Sequence, residues 1–387
     1  MPLTDLPPQA VPVSTGDPIN AQILSVSEDR IQGFLPDPFG QIALQCGLDL
    51  PIVVERILAM LRAGTIRRIR QTLMATNLAQ GSLVAWKISP EKLNAGFDYL
   101  WRDDPFSGHI VIRSTDRETA GSAYRLWTTL KIPQGFSIEK HCQFLLAQTE
   151  AEQFLLMPAK KLFVLGVGHV RRRALHPGEK ADQPADAIGT ELVDLSSLDW
   201  RVLVALKREF TTEELEASAR AGGLFWSARA TEAGVSLAEF IAVAASLHGR
   251  KVIGRFSTFL EHVKTTASGE RITQYNGLFH WAVPRGRELE AGREVGRHYC
   301  MTHAYWREGG PDFNQVNIMG VVHGTEKEKV LAHKAAIDAH LAAVGTPVAY
   351  TNVFWGGRSE IKPSEISPFA YGEWCRANSL NPETMHG

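Results

Sequence analysis

The chain has 387 residues, 44% of them apolar and 21% charged, with a net charge of −1. That is a globular composition with room for two ordinary domains or one large one. It excludes DNA binding through an overall basic excess, so any nucleic-acid role needs a local patch.

The opening "MPLTDLPPQAVPVSTGDP" has neither the basic start nor the apolar core of a signal peptide and reads as a Pro-rich flexible tail over 1–20. No apolar run approaches the ~20 residues that span a membrane. The four cysteines, Cys46, Cys142, Cys300 and Cys375, form no CxxC pair, so neither a zinc knuckle nor a dithiol motif is expected. Reduced thiols in a cytoplasmic protein are the expectation.

Next, "LDLPIVVERILAMLRAGTIRRI" (48–69) reads as a helix passing through a basic turn into a strand. "SLVAWKI", "PEKLNAGFDYLW", "GHIVIRS", "YRLWTTLKI", "SIEKHCQFLLAQTEA" and "KKLFVLGV" then alternate strand, helix, strand, strand, helix, strand. The pattern leaves open whether "RRIRQTLM" or "SLVAWKI" is the first strand. "LHPGEKADQPADAIGTE" (175–191) has the composition of a linker. Beyond it, "LDWRVLVALKREF" (198–210) has helical spacing, and "TTEELEASARAGG" has a Thr cap and a Gly stop. "SLAEFIAVAASLHGRKVIGRF" reads as helix, turn and strand.

These segments recur in order at an offset near 190 residues. "GTIRRIRQTLM" parallels "KVIGRFSTFLE", and "GSLVAWKIS" parallels "NGLFHWAVP", which sets Trp86 opposite Trp281. "GHIVIR" parallels "RHYCMT", setting His109 opposite His298. "RLWTTLKI" parallels "NIMGVVHG", setting Lys131 opposite His323, and "KKLFVLGV" parallels "AYTNVFWGG" more loosely. The expectation is an α+β tandem repeat. Each copy is a winged helix-turn-helix followed by a ferredoxin-like βαββαβ unit, over 21–173 and 192–362. A linker covers 174–191, and a C-terminal tail covers 363–387.

The helices that would enter a DNA groove are poorly suited to it. Pro51, Ile52, Val53 and Val54 begin one, and Leu237, Ala238, Glu239 and Phe240 begin the other. A reading helix needs polar or basic side chains there. Only Arg67, Arg68 and Arg70 offer phosphate chemistry, so no specific DNA binding is expected.

"VIGRF" (252–256), "LFHWAVP" (278–284), "EVGRHYC" (294–300) and "NIMGVVHG" (317–324) carry a resemblance to the siroheme decarboxylase family, within the Lrp/AsnC-like superfamily. The chain resembles a fused pair of the two related subunits, over most of 21–362. The family's valine-serine-histidine-cysteine-tyrosine motif is kept in part, as Val295, Gly296, Arg297, His298 and Tyr299.

The resemblance implies decarboxylation of acetate side chains of siroheme, in haem d1 or alternative haem biosynthesis. It implies no cofactor, because the iron belongs to the substrate. A multiply charged tetrapyrrole needs Arg and Lys anchors and aromatic walls. Arg113, Lys131, Arg255 and Arg297, with Trp86, Trp281 and Tyr299, supply both types, and His109 and Asn317 join the binding set.

Strand alternation along "RHYCMTHAY" sets His298, Cys300 and Thr302 on one face and Tyr299, Met301 and His303 on the other. No two histidines have the i, i+4 spacing of a zinc protease, so no metal site is expected. His323 is the expected proton donor, assisted by His298 or Tyr299. Two other readings stay open: a ligand-responsive regulator that binds a tetrapyrrole or an amino acid, and a non-catalytic assembly partner. The expected partner is a tetrapyrrole small molecule, with no membrane. The two copies are expected to form an intramolecular pseudo-dimer, and assembly into a homo-oligomer stays open.

Overall fold

The computed structural model describes residues 10–387 apart from 167, 221–223, 263 and 267–268. Its elements begin with α1 (Pro18–Ser27), α2 (Pro38–Cys46), α3 (Leu50–Arg62), β1 (Ile66–Leu73), β2 (Ala79–Lys87) and α4 (Leu93–Arg102). Then come β3 (Ser107–Thr115), β4 (Tyr124–Pro133), α5 (Ile138–Thr149), β5 (Gln153–Pro158), β6 (Lys161–Leu165) and the single turn α6 (His169–Arg172). The second half of the chain adds α7 (Ser197–Lys207), α8 (Thr212–Arg220), α9 (Ser227–Ala233), α10 (Leu237–Gly249) and β7 (Ile253–Leu260). It ends with β8 (Tyr275–Ala282), α11 (Glu288–Gly296), β9 (Met301–Trp306), β10 (Ile318–Gly324), α12 (Lys327–Ala343), β11 (Tyr350–Ile361) and α13 (Pro368–Ala377).

The chain forms two compact units, which do not follow the repeat boundaries. The helical unit takes Met1–Leu73, Gly168–Arg171 and Leu195–Ile272, and the sheet unit takes Met74–Val167, Arg172–Asp194 and Thr273–Gly387. "RRIRQTLM" and "SLVAWKI" are therefore both strands, one in each unit.

In the helical unit the ends are set by local chemistry. Asp17 caps α1 by accepting from the amides of Ile19 and Asn20, with Pro18 in the first turn. Ser196 and Asp199 form a reciprocal capping box at α7. α2 ends at Gly47, whose φ of 64° is the left-handed conformation glycine adopts without cost. β1 and β7, one from each copy, pair antiparallel and satisfy each other's backbone. Phe39, Phe225, Trp226 and Phe256 pack as one aromatic cluster.

Of the expected flexible tail, 1–9 lie outside the described residues, and the rest is held. Asn20 donates to the carbonyls of Pro12 and Ser14, and the Thr15 amide donates to Glu270. The Gly stop expected after α8 falls at 221–223, outside the described residues.

The sheet unit holds nine antiparallel strands in the order β5-β2-β4-β3-β11-β8-β10-β9-β6. Each half runs β-α-β-β-α-β, and the spatial order β5-β2-β4-β3 is repeated as β11-β8-β10-β9. The halves join where the outer part of β11 pairs with β3 and where β6 pairs with β9. Only Ala159 and Lys160 separate β5 from β6, so the sheet curls until its edge strands are consecutive in the chain.

Outside the curl, Trp86, Phe97, Leu126 and Leu145 form one core, and Phe279, Trp281, Val295 and Ile337 form the other. Inside it lie Trp127, Leu278, Phe313, Met319 and Phe354. Residues 363–387, expected as a tail, include α13, whose Tyr371 and Cys375 are fully buried in the first core. Among the described residues no single helix is long and apolar enough to cross a membrane.

Strand register decides the repeat alignment. Trp86 faces Leu126 and Gly81 faces Lys131, while Trp281 faces Ile318 and Asn276 faces His323. Lys131 and His323 therefore hold equivalent places, as read from the sequence. Two pairings are corrected. His109 faces Thr129 where His303 faces Val321, so the equivalent of His109 is His303, not His298. Phe154 faces Trp86 where Thr351 faces Trp281, so β5 corresponds to the first part of β11, and "KKLFVLGV" corresponds to the outer part of that strand.

Candidate functional site

The inner face of the curled sheet carries the polar cluster. On β8, Asn276, Leu278 and His280 alternate with Gly277, Phe279 and Trp281, which face the helices. Arg113 crosses from β3 and donates from Nη1 to Asn276 Oδ1 (3.3 Å) and to the carbonyl of Phe354 (3.2 Å). The cation takes the amide oxygen, so the amide nitrogen of Asn276 is turned to His323 Nε2, 3.1 Å away. That ring nitrogen must accept.

The remaining ring proton of a neutral His323 then sits on Nδ1, 3.2 Å from Thr302 Oγ1, and Thr302 donates onward to the carbonyl of Val321. His303 Nδ1 meets the same hydroxyl at 3.2 Å. Arg113 is 4% exposed, and burial pushes its guanidinium down to about 9. It remains charged at neutral pH.

Sequence reasoning missed four residues here: Asn276, His280, Thr302 and Arg307. His280 is fully buried, and neither ring nitrogen has a hydrogen-bond partner among the described residues. Burial, and after it the charge of Arg113, push its pKa down to about 3. Arg307 repeats Arg113 in the other half: it donates to the carbonyl of Met157 and lies over Tyr305. The signal was available, since "VIR" and "YWR" hold equivalent places in the two halves. The halves differ in chemistry. Where the second has Asn276 and His323, the first has Gly81 and Lys131.

Lys131 and His109 do lie on the sheet with this cluster, both half-buried. His109 Nε2 meets Ser359 Oγ at 2.8 Å. Other expected site residues are placed elsewhere. "RHYC" is not strand: Arg297 caps α11, the His298 amide donates to the Val295 carbonyl, and β9 begins at Met301. The alternation expected along it does not apply. His298 is 2% exposed, with Nδ1 on the carbonyls of Glu294 and Val295; burial, then the charge of His340, push it down to about 4. Tyr299 is exposed.

Asn317 clamps Val283 through two hydrogen bonds, each 2.9 Å, and Trp281 is core, its indole donating to Asp338. Arg255 belongs to the helical unit, where Nε donates to the Glu28 carbonyl.

Arg297 is held by the segment expected to be a tether. Its guanidinium donates to the carbonyls of Ala181 and Asp182 and to Glu294. Backbone bonds from Ala181 to Arg297, Tyr299 to Glu179 and Ala185 to Arg293 fasten the segment along the end of α11. Arg297→Ala should therefore speed proteolytic cleavage within 179–186 severalfold and leave ligand affinity within a few-fold. Limited proteolysis beside a binding titration checks this. A large affinity loss with unchanged cleavage would restore Arg297 as an anchor.

Two surface cavities are lined by none of the expected residues. One of about 470 Å³ lies along Leu50, Val54 and Leu58 of α3, and one of about 310 Å³ lies by Gly81, Leu156 and Thr190. Among the described residues no three His, Cys, Asp or Glu side chains gather as a metal site.

No protein-family model matches the sequence, and no curated protein matches it. Solved structures share its fold. The siroheme decarboxylase NirDL matches with a TM-score of 0.62 at 16% identity, over 92% of this chain and 98% of that one. Its co-complex with an iron-uroporphyrin III analogue matches with a TM-score of 0.61 at 16% identity, over 93% and 99%. At this identity the likeness is one of fold.

Proposed function

We propose that the chain is a cytoplasmic siroheme decarboxylase, a fused form of the two-subunit enzyme, converting siroheme to didecarboxysiroheme in haem d1 or alternative haem biosynthesis. The observation that carries this is the near full-length match in both directions to the NirDL fold. We read α2–α3–β1 and α9–α10–β7 as winged helix-turn-helix segments and each half of the sheet as ferredoxin-like. The repeated strand order supports that reading, and the pairing of the halves supports an intramolecular pseudo-dimer.

The reaction breaks the bond between an acetate methylene carbon and its carboxylate. CO2 leaves, the electron pair passes into the pyrrole ring, and a proton is added to give a methyl group. Each lost carboxylate consumes one proton. The substrate's iron stays bound, and no further cofactor enters.

His323 is assigned the proton transfer. Its Nε2 accepts from Asn276, so proton loading at that atom requires the Asn276 amide to move aside, and Arg113 governs its orientation. Lys131 and His109, both half-buried, are assigned to carboxylates, and buried Arg113 to holding Asn276. His298 and Tyr299 drop out of the reaction, one buried and neutral, the other in an exposed turn. Anaerobic titration with siroheme tests the reading: a shift of the Soret band that saturates is expected, and an unchanged spectrum contradicts it.

The regulator reading is disfavoured by α3 and α10. Their exposed side chains include Pro51, Ile52, Glu55, Ala238 and Glu239, which offer base edges few donors and phosphates two carboxylates. Selection from random DNA at physiological salt should enrich no sequence. One site enriched at nanomolar affinity would reverse this.

A further inference from the structure

β9 carries one residue more than its partner strand. His303 pairs with Val321 and Met301 with Val322, so Thr302 is the extra residue between those pairs. A bulge of this kind re-aims side chains. Here it lets the fully buried Thr302 meet its neighbour His303, where regular strand alternation would part them.

One hydroxyl then serves two rings. It has one proton to give and two lone pairs. The proton goes to the Val321 carbonyl at 2.9 Å, the shortest of the three contacts and one that can only accept. Nδ1 of His323 and Nδ1 of His303, each 3.2 Å from Thr302 Oγ1, are therefore the donors. Both neutral rings carry their proton on Nδ1, and Nε2 is the accepting atom of each. For His323 the Asn276 amide gives the same answer from the other side of the ring.

The other half keeps the bulge without the hydroxyl. Ser107 pairs with Leu130 and His109 with Thr129, so its extra residue is Gly108. A Cβ there would collide with Ser364 Oγ. His109 meets a different hydroxyl, that of Ser359, and through Nε2. Lys131 stands in the place of His323. The shared hydroxyl thus belongs to the half that carries the proton-transfer histidine.

We propose that Thr302 is a positioning residue, whose hydroxyl holds His323 and His303 as Nδ1–H tautomers and keeps Nε2 the atom through which His323 exchanges protons. Nε2 takes up one proton, the ring becomes an imidazolium, and the same proton passes to the carbon that has lost CO2. The ring returns to neutral with its Nδ1–H still on Thr302. The proposal rests on the decarboxylase reading only for the reaction that this atom serves.

The test is NMR of the full chain, isotope-labelled at the histidine nitrogens, at alkaline pH where neutral rings prevail. His303→Gln and His323→Gln assign the two signals. The wild type should show the proton on Nδ1 of both rings. Thr302→Val should move the His303 proton to Nε2, and Thr302→Ser should return it to Nδ1, because the tautomer follows the hydrogen bond that the ring makes. On siroheme, Thr302→Val should lower kcat by up to about a hundredfold, the scale of a small misplacement of a reacting group, with KM within a few-fold. Thr302→Ser should recover most of that loss. The proposal is overturned if either wild-type ring carries its proton on Nε2. It is also overturned if Thr302→Val keeps the His303 tautomer, or keeps full turnover in a chain that is active on siroheme. A wild type with both protons on Nδ1 and no turnover supports the tautomer assignment and contradicts the decarboxylase reading, so the two fail separately.

Discussion

His323→Ala should slow CO2 release from siroheme by about a hundred- to ten-thousand-fold, the usual cost of losing a general acid. Tetrapyrrole affinity should stay within a few-fold. The reason is the asymmetry of two equivalent places. Register puts His323 opposite Asn276 in one half and Lys131 opposite Gly81 in the other. A histidine moves protons near neutral pH, and a lysine on the same sheet is a charge anchor. Lys131→Ala should show the reverse pattern, weakening binding more than turnover, because a ground-state contact is lost. Product masses and binding titrations for both variants check this. Full turnover in His323→Ala would leave this histidine a hydrogen-bonded strut between Asn276 and Thr302.

Stability should fall steeply on mild acidification. His280 and His298 are buried, with pKa values pushed down to about 3 and about 4. The unfolded chain takes up these protons near 6.5. Their contribution is thus fully present above that pH and is lost as pH falls below it, because the unfolded state then binds more protons. The cost approaches roughly 1.4 kcal/mol per pH unit per histidine below the unfolded pKa, so between pH 6.5 and 5 the pair costs roughly 3 kcal/mol. That is a large part of a typical domain's ~5–15 kcal/mol. His280→Leu should halve the acid sensitivity and hold or raise stability at pH 7.5, since two unpartnered buried nitrogens disappear. Denaturant unfolding at pH 7.5 and 5 measures both effects. An unchanged pH slope in His280→Leu would show that this imidazole is protonated in the folded state.

The repeat was legible because both halves keep a Trp at one register position and alternate apolar residues around it. Strands β2, β4, β8 and β10 come directly from that pattern. "RHYC" misled because its residues favour strands, while the backbone there is still completing α11. A one-turn helix exit erases alternation, which displaced the match of His109 from His303 to His298. β5 was hidden because "QFLLMP" comes after a helix of similar composition without a break.

The placement of the candidate residues was legible in part. His323, Lys131, His109 and Arg113 lie on the sheet as expected. Arg297 and Asn317 looked like anchors, but backbone carbonyls occupy them, and no spacing rule reveals which distant carbonyl an arginine will find. The partition was also hidden, since β1 pairs with β7 across the repeat and only tertiary contact determines that.

The most direct measurement is mass spectrometry of siroheme incubated anaerobically with the purified chain. The proposed function predicts loss of two CO2 units, one from each of two acetate side chains, with the iron retained. Siroheme recovered unchanged after binding has been shown by absorbance would contradict it.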